Sequence, residues 1–288
     1  MSDFLGLYTA FTGLQAAQAG LDTTSHNIAN AGTTGFTRQR VDLASRLPAE
    51  LAFGKVGTGV SIEDITRARR DLLDVGYRAS IAGEAQFSTL AGLLGNAEAA
   101  LGEPAHGITA AIGSVWGSFE ALALDPPDQA ARAGVITELH ALSDKIRSVA
   151  GAWETVGATA LEELQGGVAE TNRLLADVAA LNRSILQAQS SPGQANDLLD
   201  QRDRLIDRLS SLAGVTSSVT DAGTARISIG GLALVHDTAV SALSVDAGTG
   251  AVSHSSGASV TAGGSIAGYQ TFLTSELPTH RQALDVLA

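Results

Sequence analysis

Apolar residues at the start of the chain recur with heptad spacing. Phe4, Leu7, Phe11, Leu14, Leu21 and Ile28 fall on a and d positions, with Gln18 and Ser25 in the remaining slots. That spacing predicts a helix with one narrow apolar seam. The other faces carry Ala, Gly, Thr and Gln in place of the charges usual on a solvated face. Such a helix is packed on several sides, either in an internal core or against neighbouring chains. Asn30, Gly32 and Gly35 tolerate positive φ and end it. Asn27 and Asn30 sit where a side-chain amide either caps the last turn or bridges to a neighbour. A lone helix of this kind buries too little to offset its ordering entropy, so the first 40 or so residues are expected to stay unfolded in an isolated chain.

From Val41 to Arg67 the pattern changes to strands and loops. Pro48, Gly54, Gly57 and Gly59 punctuate it, and Val60-Ser61-Ile62-Glu63-Asp64-Ile65 alternates with a period of two. The run Gly54-Lys55-Val56-Gly57-Thr58-Gly59 matches no phosphate-binding spacing and precedes a strand, so it reads as a turn. Helical spacing returns from Asp71 to Leu101. It resumes from Ile108 to Leu124, where Asp125-Pro126-Pro127 stops it. A long helical tract then runs from Asp128 to about Gln189. Its second half keeps heptad order through Leu161, Leu164, Val168, Thr171, Leu175, Val178, Asn182, Ile185 and Gln189. Gly151, Gly157 and Gly166-Gly167 are places where it could bend. After Ser190-Ser191-Pro192-Gly193 another helix carries Leu198, Leu205, Leu209 and Leu212 on one side, so the two form an antiparallel pair.

Residues 215–261 are rich in Val, Ser, Thr, Gly and Ala. Ala225-Arg226-Ile227-Ser228-Ile229 alternates as a strand, Gly230-Gly231 makes a hairpin turn, and Asp246-Ala247-Gly248-Thr249-Gly250 makes a second. A last helix begins near Ser265, with Ile266, Tyr269, Leu273, Leu277, His280, Leu284 and Leu287 on one stripe. After Pro278 that stripe meets no further Gly or Pro terminator before Ala288, an ending expected of a chain that continues.

The predicted fold is mainly α: a long antiparallel helical rod with an inserted small β module and an N-terminal axial coiled-coil helix. The expected divisions are 1–40 for the axial helix and its motif, 41–70 for strands and loops and 71–212 for the rod. Residues 213–262 form the β module and 263–288 a return helix.

Composition narrows the function. Aromatic residues make up 4% of the chain, which suits helices packed side by side better than a bulky globular core. The net charge is −12, with Lys55 and Lys145 the two lysines among 18 basic residues. An acidic surface repels phosphate backbones and anionic lipid, so neither nucleic acid nor a membrane is expected as a partner. Cysteine is absent, which removes disulfides, thiol chemistry and thiolate metal sites while leaving the compartment open. The uncharged run from Phe4 to Leu21 lacks the basic n-region of a secretory signal, since the first basic residue is Arg38. Thr9, Thr12, Gln15 and Gln18 make it too polar for a membrane span.

No catalytic constellation is visible, and no enzyme activity, metal or cofactor is expected. His26, His106, His140, His236, His254 and His280 are scattered, with none paired at metal-ligand spacing. The densest charge run, Asp197 to Arg208, offers Asp200–Arg204 at i,i+4 and Arg204–Asp207 at i,i+3. It reads as an ion-paired solvated face.

One resemblance is specific. Leu14-Gln15-Ala16-Ala17-Gln18-Ala19-Gly20-Leu21, Asn27-Ile28-Ala29-Asn30 and Thr34-Gly35-Phe36-Thr37-Arg38-Gln39 are similar to the N-terminal motif shared by flagellar axial proteins. Two further segments resemble the junction branch of that family, the hook-associated proteins that link hook and filament. They are Gly57-Thr58-Gly59-Val60-Ser61-Ile62, followed by Ile65, Arg67, Asp71 and Arg78, and Gly193-Gln194-Ala195-Asn196-Asp197-Leu198-Leu199-Asp200-Gln201-Arg202-Asp203. Where the family has an aromatic-Asp-x-Phe pattern this chain has Arg70-Asp71-Leu72-Leu73, so altered packing is expected there. Family members also continue into a C-terminal helix that pairs with the N-terminal one.

The resemblance implies a structural subunit of the bacterial flagellum at the junction between hook and filament. It implies an extracellular protein exported by the flagellar export apparatus without a cleaved signal peptide. The implied partners are the hook protein, the neighbouring junction protein and copies of the chain itself in a ring. Leu7, Phe11, Leu14, Leu21, Asn27, Ile28, Asn30, Gly35 and Phe36 are the implied subunit contacts. The rival from another class is a secreted adhesin or effector that borrows an axial-type export segment.

Overall fold

The computed structural model describes residues 2–51, 54–102, 106–188 and 195–287. Helix α1 (Ser2–Ala29) leads through a turn into a β hairpin of β1 (Gln39–Ser45) and β4 (Val60–Arg67), which pair antiparallel. The connection between them carries a small hairpin of its own, β2 (Ala49–Leu51) with β3 (Gly54–Val56). The glycine stretch expected as a turn is therefore partly strand: its first three residues extend to pair with Ala49 to Leu51, and only 57–59 turn the chain.

The expectation that the first segment would stay unpacked is overturned. Helix α1 lies along β1 and β4 through the face opposite its apolar seam, where Thr12, Ala16 and Thr23 are buried. Gly59 makes this close approach possible. It sits at φ +100°, and any Cβ there would collide with the Thr12 hydroxyl. That hydroxyl donates to the Thr9 carbonyl (2.8 Å) and accepts from the Val60 amide (3.3 Å).

The body of the molecule begins with α2 (Asp71–Leu101). Helix α3 (Ile108–Leu124) turns back on the 60-residue α4 (Gln129–Ala188), and α5 (Asn196–Ala213) follows. At 1.5 Å per residue α4 is ~90 Å long. Its glycines do not divide it, because they lie inside an unbroken ladder of helix bonds. Leu164, Val168, Thr171, Leu175, Val178, Asn182 and Ile185 are all buried, as the heptad pattern predicts; Gln189 lies outside the described residues. On α5 the buried line is Arg202, Ile206, Leu209 and Leu212, whereas Leu198 and Leu205 are only partly covered. Gly214, in the left-handed conformation, closes that helix (φ 64°, ψ 41°).

Strands β5 (Thr216–Val219), β6 (Ala225–Ile229), β7 (Leu232–His236) and β8 (Ala239–Val240) form one antiparallel sheet in sequential order. Beside it β9 (Leu243–Val245) pairs with β10 (Val252–His254). Gly230 and Gly231, both at positive φ, make the β6–β7 turn. Asp246 closes the β9–β10 loop: its carboxylate accepts from the Thr249 hydroxyl (2.8 Å) and from the amides of Thr249 (2.7 Å) and Gly248 (3.0 Å), which holds its pKa below the ordinary value.

The chain then returns through α6 (Gly264–Thr271), a π turn (Phe272–Glu276) and α7 (Leu277–Leu287). The wider turn alters the expected stripe. It brings Phe272 fully inside, in line with Ile266 and Leu277, and leaves Tyr269 and Leu273 at the margin.

Two apolar clusters hold this body together. One joins α4, α5, α6 and the β module, with Leu175, Leu209, Ile227, Leu234 and Ile266 at its centre. The other joins α2, α4 and the return helix around Trp153, Phe272 and Leu284, with the indole N–H donating to the Ala97 carbonyl at 2.8 Å. Asn182 stitches helix to sheet. Its amide donates to the carbonyls of Ala225 (2.9 Å) and Asp237 (2.7 Å), and its oxygen accepts from the Ala225 amide (2.9 Å).

Candidate functional site: an apolar seam on the N-terminal helix

Because Thr12, Ala16 and Thr23 turn toward the hairpin, the larger apolar residues of α1 turn away from it. Phe11 is 52% exposed, Leu14 and Leu21 66%, Leu7 68% and Ile28 72%. Phe4, Leu7, Tyr8 and Phe11 line a shallow hollow with almost no polar surface. This ordering reverses an ordinary surface helix, in which the large apolar side chains face the core. A single exposed leucine is unremarkable, but a row of large apolar side chains along one helix face, interrupted at Gln18 and Ser25, is more than a monomer usually leaves in water.

The other four predicted contact residues do not join this row. Asn27 lies in the last turn of α1, and the other three in the segment that follows it. Asn27 bridges to β1: its amide donates to the Gln39 carbonyl (2.8 Å) and its oxygen accepts from the Gln39 amide (2.8 Å). Asn30 caps locally, donating its amide to the His26 carbonyl at 3.0 Å. Gly35, at φ +77°, lies against the aliphatic part of the Arg204 side chain. Phe36 packs edge-on against His26, with ring centroids 5.4 Å apart. The motif thus divides by role: the heptad positions face outward, Asn27 ties the helix to its hairpin, Gly35 lies against α5, and Asn30 and Phe36 close the helix end on His26.

The acidic run of α5 corrects the expectation of a solvated, self-paired face. Asp200 and Asp203 are buried and reach across to other elements. Arg67 of β4 donates to Asp200 (2.8 Å) and Asp203 (2.7 Å), while Arg78 of α2 donates to Asp207 at 2.7 Å. Arg202 points to the opposite side, donating to the Gly223 carbonyl at 2.7 Å. Burial lowers its pKa from the ordinary arginine value, and Asp203 opposes that shift. Arg69 is raised instead: burial works against its charge, but the bond to Asp74 and the charge of Asp203 outweigh it. The partners lie more than a hundred residues apart in sequence, so spacing within the acidic run could not reveal them; the arginines Arg67 and Arg78 were visible only as motif positions. Among the described residues no group of three His, Asp or Glu side chains could hold a metal ion, and no helix is long and apolar enough to cross a membrane.

Comparison with known proteins follows the same division. Residues 94–288 match the family described as the flagellar hook-associated protein FlgK helical domain. Residues 7–37, which hold α1 and its turn, match the flagella basal body rod protein family. Flagellar hook-associated protein 1 of Bacillus subtilis is 34% identical over 230 residues, covering 77% of this chain and 45% of the relative. The Escherichia coli protein of the same name is 27% identical over 295 residues, covering 97% and 54%. The chain therefore spans about half the length of these relatives. The structure of the flagellar hook junction protein FlgK from Burkholderia pseudomallei superposes with a TM-score of 0.60 at 23% identity, over 69% of this chain and 38% of that one, a likeness of fold. With one family match running from the end of α2 through the rod, the β module and the return helix, the chain belongs to the flagellar hook-associated protein FlgK helical domain family.

Proposed function

We propose that the chain is a structural subunit of the junction between flagellar hook and filament, seated in a ring of its own copies through the outward seam of α1. The observation that carries this reading is the inverted packing of that helix, with the small residues Thr12, Ala16 and Thr23 inward and Leu7, Phe11, Leu14, Leu21 and Ile28 outward. Burying one such side chain contributes roughly 1.5–3 kcal/mol. A row of them supplies what association between subunits requires. The names of the relatives, hook-associated protein 1, and of the solved homologue, a hook junction protein, place those proteins at the same location. The hook protein on one side, the neighbouring junction protein on the other and copies of this chain are the partners that follow. Export through the flagellar apparatus without a cleaved signal, and the absence of catalysis, belong to the same reading. An adhesin or effector that borrowed an export segment would share only the first residues with the family, whereas the match here extends over 94–288.

Labelling tests the seam. The chain has no cysteine, so Leu7→Cys or Leu14→Cys introduces a unique thiol. A maleimide should modify it readily in the dilute monomer and be blocked in isolated hook–filament complexes. Equal reactivity in both states would show that α1 is not covered on assembly.

A further inference from the structure

Among the described residues, the N-terminal arm, residues 2–70, and the body that follows share no apolar core. Every side chain in the two buried clusters, and every apolar residue packed on them, lies between Leu90 and Leu284. What fastens the arm is polar, and it is concentrated on the first turns of α5. The Thr37 amide donates to Asp200 (2.9 Å), and Gln39 donates to Asp197 (3.1 Å). Asn196 donates to the Ile65 carbonyl, and Arg67 bridges Asp200 and Asp203. Arg69 stands 3.3 Å from Asp203. His26 also stands 3.4 Å from Asp197, and Arg204 donates to the Thr34 carbonyl at 3.4 Å. The shorter bonds, made by Thr37, Gln39, Ile65 and Arg67, cluster next to the point where the chain enters α2.

Two features make such a contact separable. Apart from Gly35 against the Arg204 methylenes, the contacts named are polar, so the main penalty that keeps cores closed is small here. Asp203 also has a second cation that belongs to the body, Arg78, at 3.4 Å. If Arg67 withdraws, Asp203 keeps a partner, and the strong penalty of leaving a buried charge unpaired does not arise there. Asp200 and Arg67 pass into water together. We propose that this joint is a releasable electrostatic hinge: the arm pivots on the body as a unit while both stay folded, and Asp200 with Asp203 sets the docked angle. In a ring of subunits such a hinge lets the α1 seam meet neighbours at an angle that the body does not dictate.

The test uses two spin labels, on Glu63→Cys in the arm and Ala176→Cys in the body, with pulsed dipolar distances measured in the otherwise intact chain. The docked form gives a narrow distribution. In the Asp200→Asn/Asp203→Asn variant the distribution should broaden. Hydrogen-exchange protection at Gln39 to Ser45 should persist, because the β1–β4 ladder is intact, and melting of the body should stay cooperative. A narrow distribution in the double variant would overturn the hinge. So would loss of the body's fold or of the β1–β4 protection, since either would make the network part of one cooperative core. Arg67→Gln removes both of its ion pairs from the arm's side, leaving Asp203 to Arg69 and Arg78 and Asp200 to the Thr37 amide. Broadening with an intact body supports the hinge, and unfolding or an unchanged narrow distribution overturns it.

Discussion

Replacing Asn182 by alanine tests how the β module is anchored to the long helix. Asn182 occupies a heptad position on α4 with no exposed surface, between Val178 and Ile185. Its amide satisfies both the N–H and the C=O of Ala225 and the C=O of Asp237, and its oxygen receives a contact from Arg202 at 3.3 Å. Alanine leaves the two groups of Ala225 buried and unmatched, at about 1–3 kcal/mol each. The Asp237 carbonyl, beside an exposed turn, recovers water more readily and adds less. The expected loss is therefore ~2–5 kcal/mol. Urea denaturation followed by circular dichroism should show a lower midpoint with an unchanged slope, because the area exposed on unfolding is the same. The effect should also be local. Exchange protection should fall first at Ala225 to Ile229, while amides near Trp153, in the other cluster, keep theirs. A loss below about 0.5 kcal/mol, the scale of an ordinary surface substitution, would refute the account of Asn182 as the clamp between helix and sheet.

Other expectations follow from the same packing. Leu175→Ala removes a fully buried side chain from the rod seam and should cost ~2–5 kcal/mol in the same denaturation assay; Leu205→Ala, only partly covered, should cost less. Tyr269 has its pKa raised above 10.0, by burial first and by the charge of Glu163 second. A folded-state pKa above the unfolded one contributes stability below pH 10 that is lost as the pH rises past it. Wild type should therefore lose stability relative to Tyr269→Phe in melts above pH 10, and the two should run parallel near pH 8.

Much of the fold was legible because long periodic elements dominate it. The α4 seam from Leu164 to Ile185, the stop at Pro126-Pro127 and the Gly230-Gly231 turn each depend on residues close in sequence, so local spacing carries them. What was not legible depends on distant partners. A heptad row on α1 identifies an apolar face but not its direction; the β1–β4 hairpin, admitting Thr12 over Gly59, decides that Leu14 faces outward. The acidic run of α5 looked self-paired because i,i+4 neighbours are all that spacing displays, while its true partners are Arg67 and Arg78. The π turn at Phe272 inserts one residue into the helical count, which no periodic template anticipates.

The central claim, that α1 faces outward in order to be covered by neighbouring subunits, is tested most directly by Leu14→Asp. Leu14 is 66% exposed in the single chain, so the change should leave the melting temperature of the purified protein nearly untouched. In an assembled ring the same aspartate would lie in a contact that excludes water, where an unpaired charge costs several kcal/mol per subunit. Expressed as the full-length protein in a bacterium lacking its own junction protein, the variant should be secreted but should give no filaments. Normal filaments would contradict the account, and so would lost filaments accompanied by a collapsed melting temperature, which would place α1 in an ordinary core.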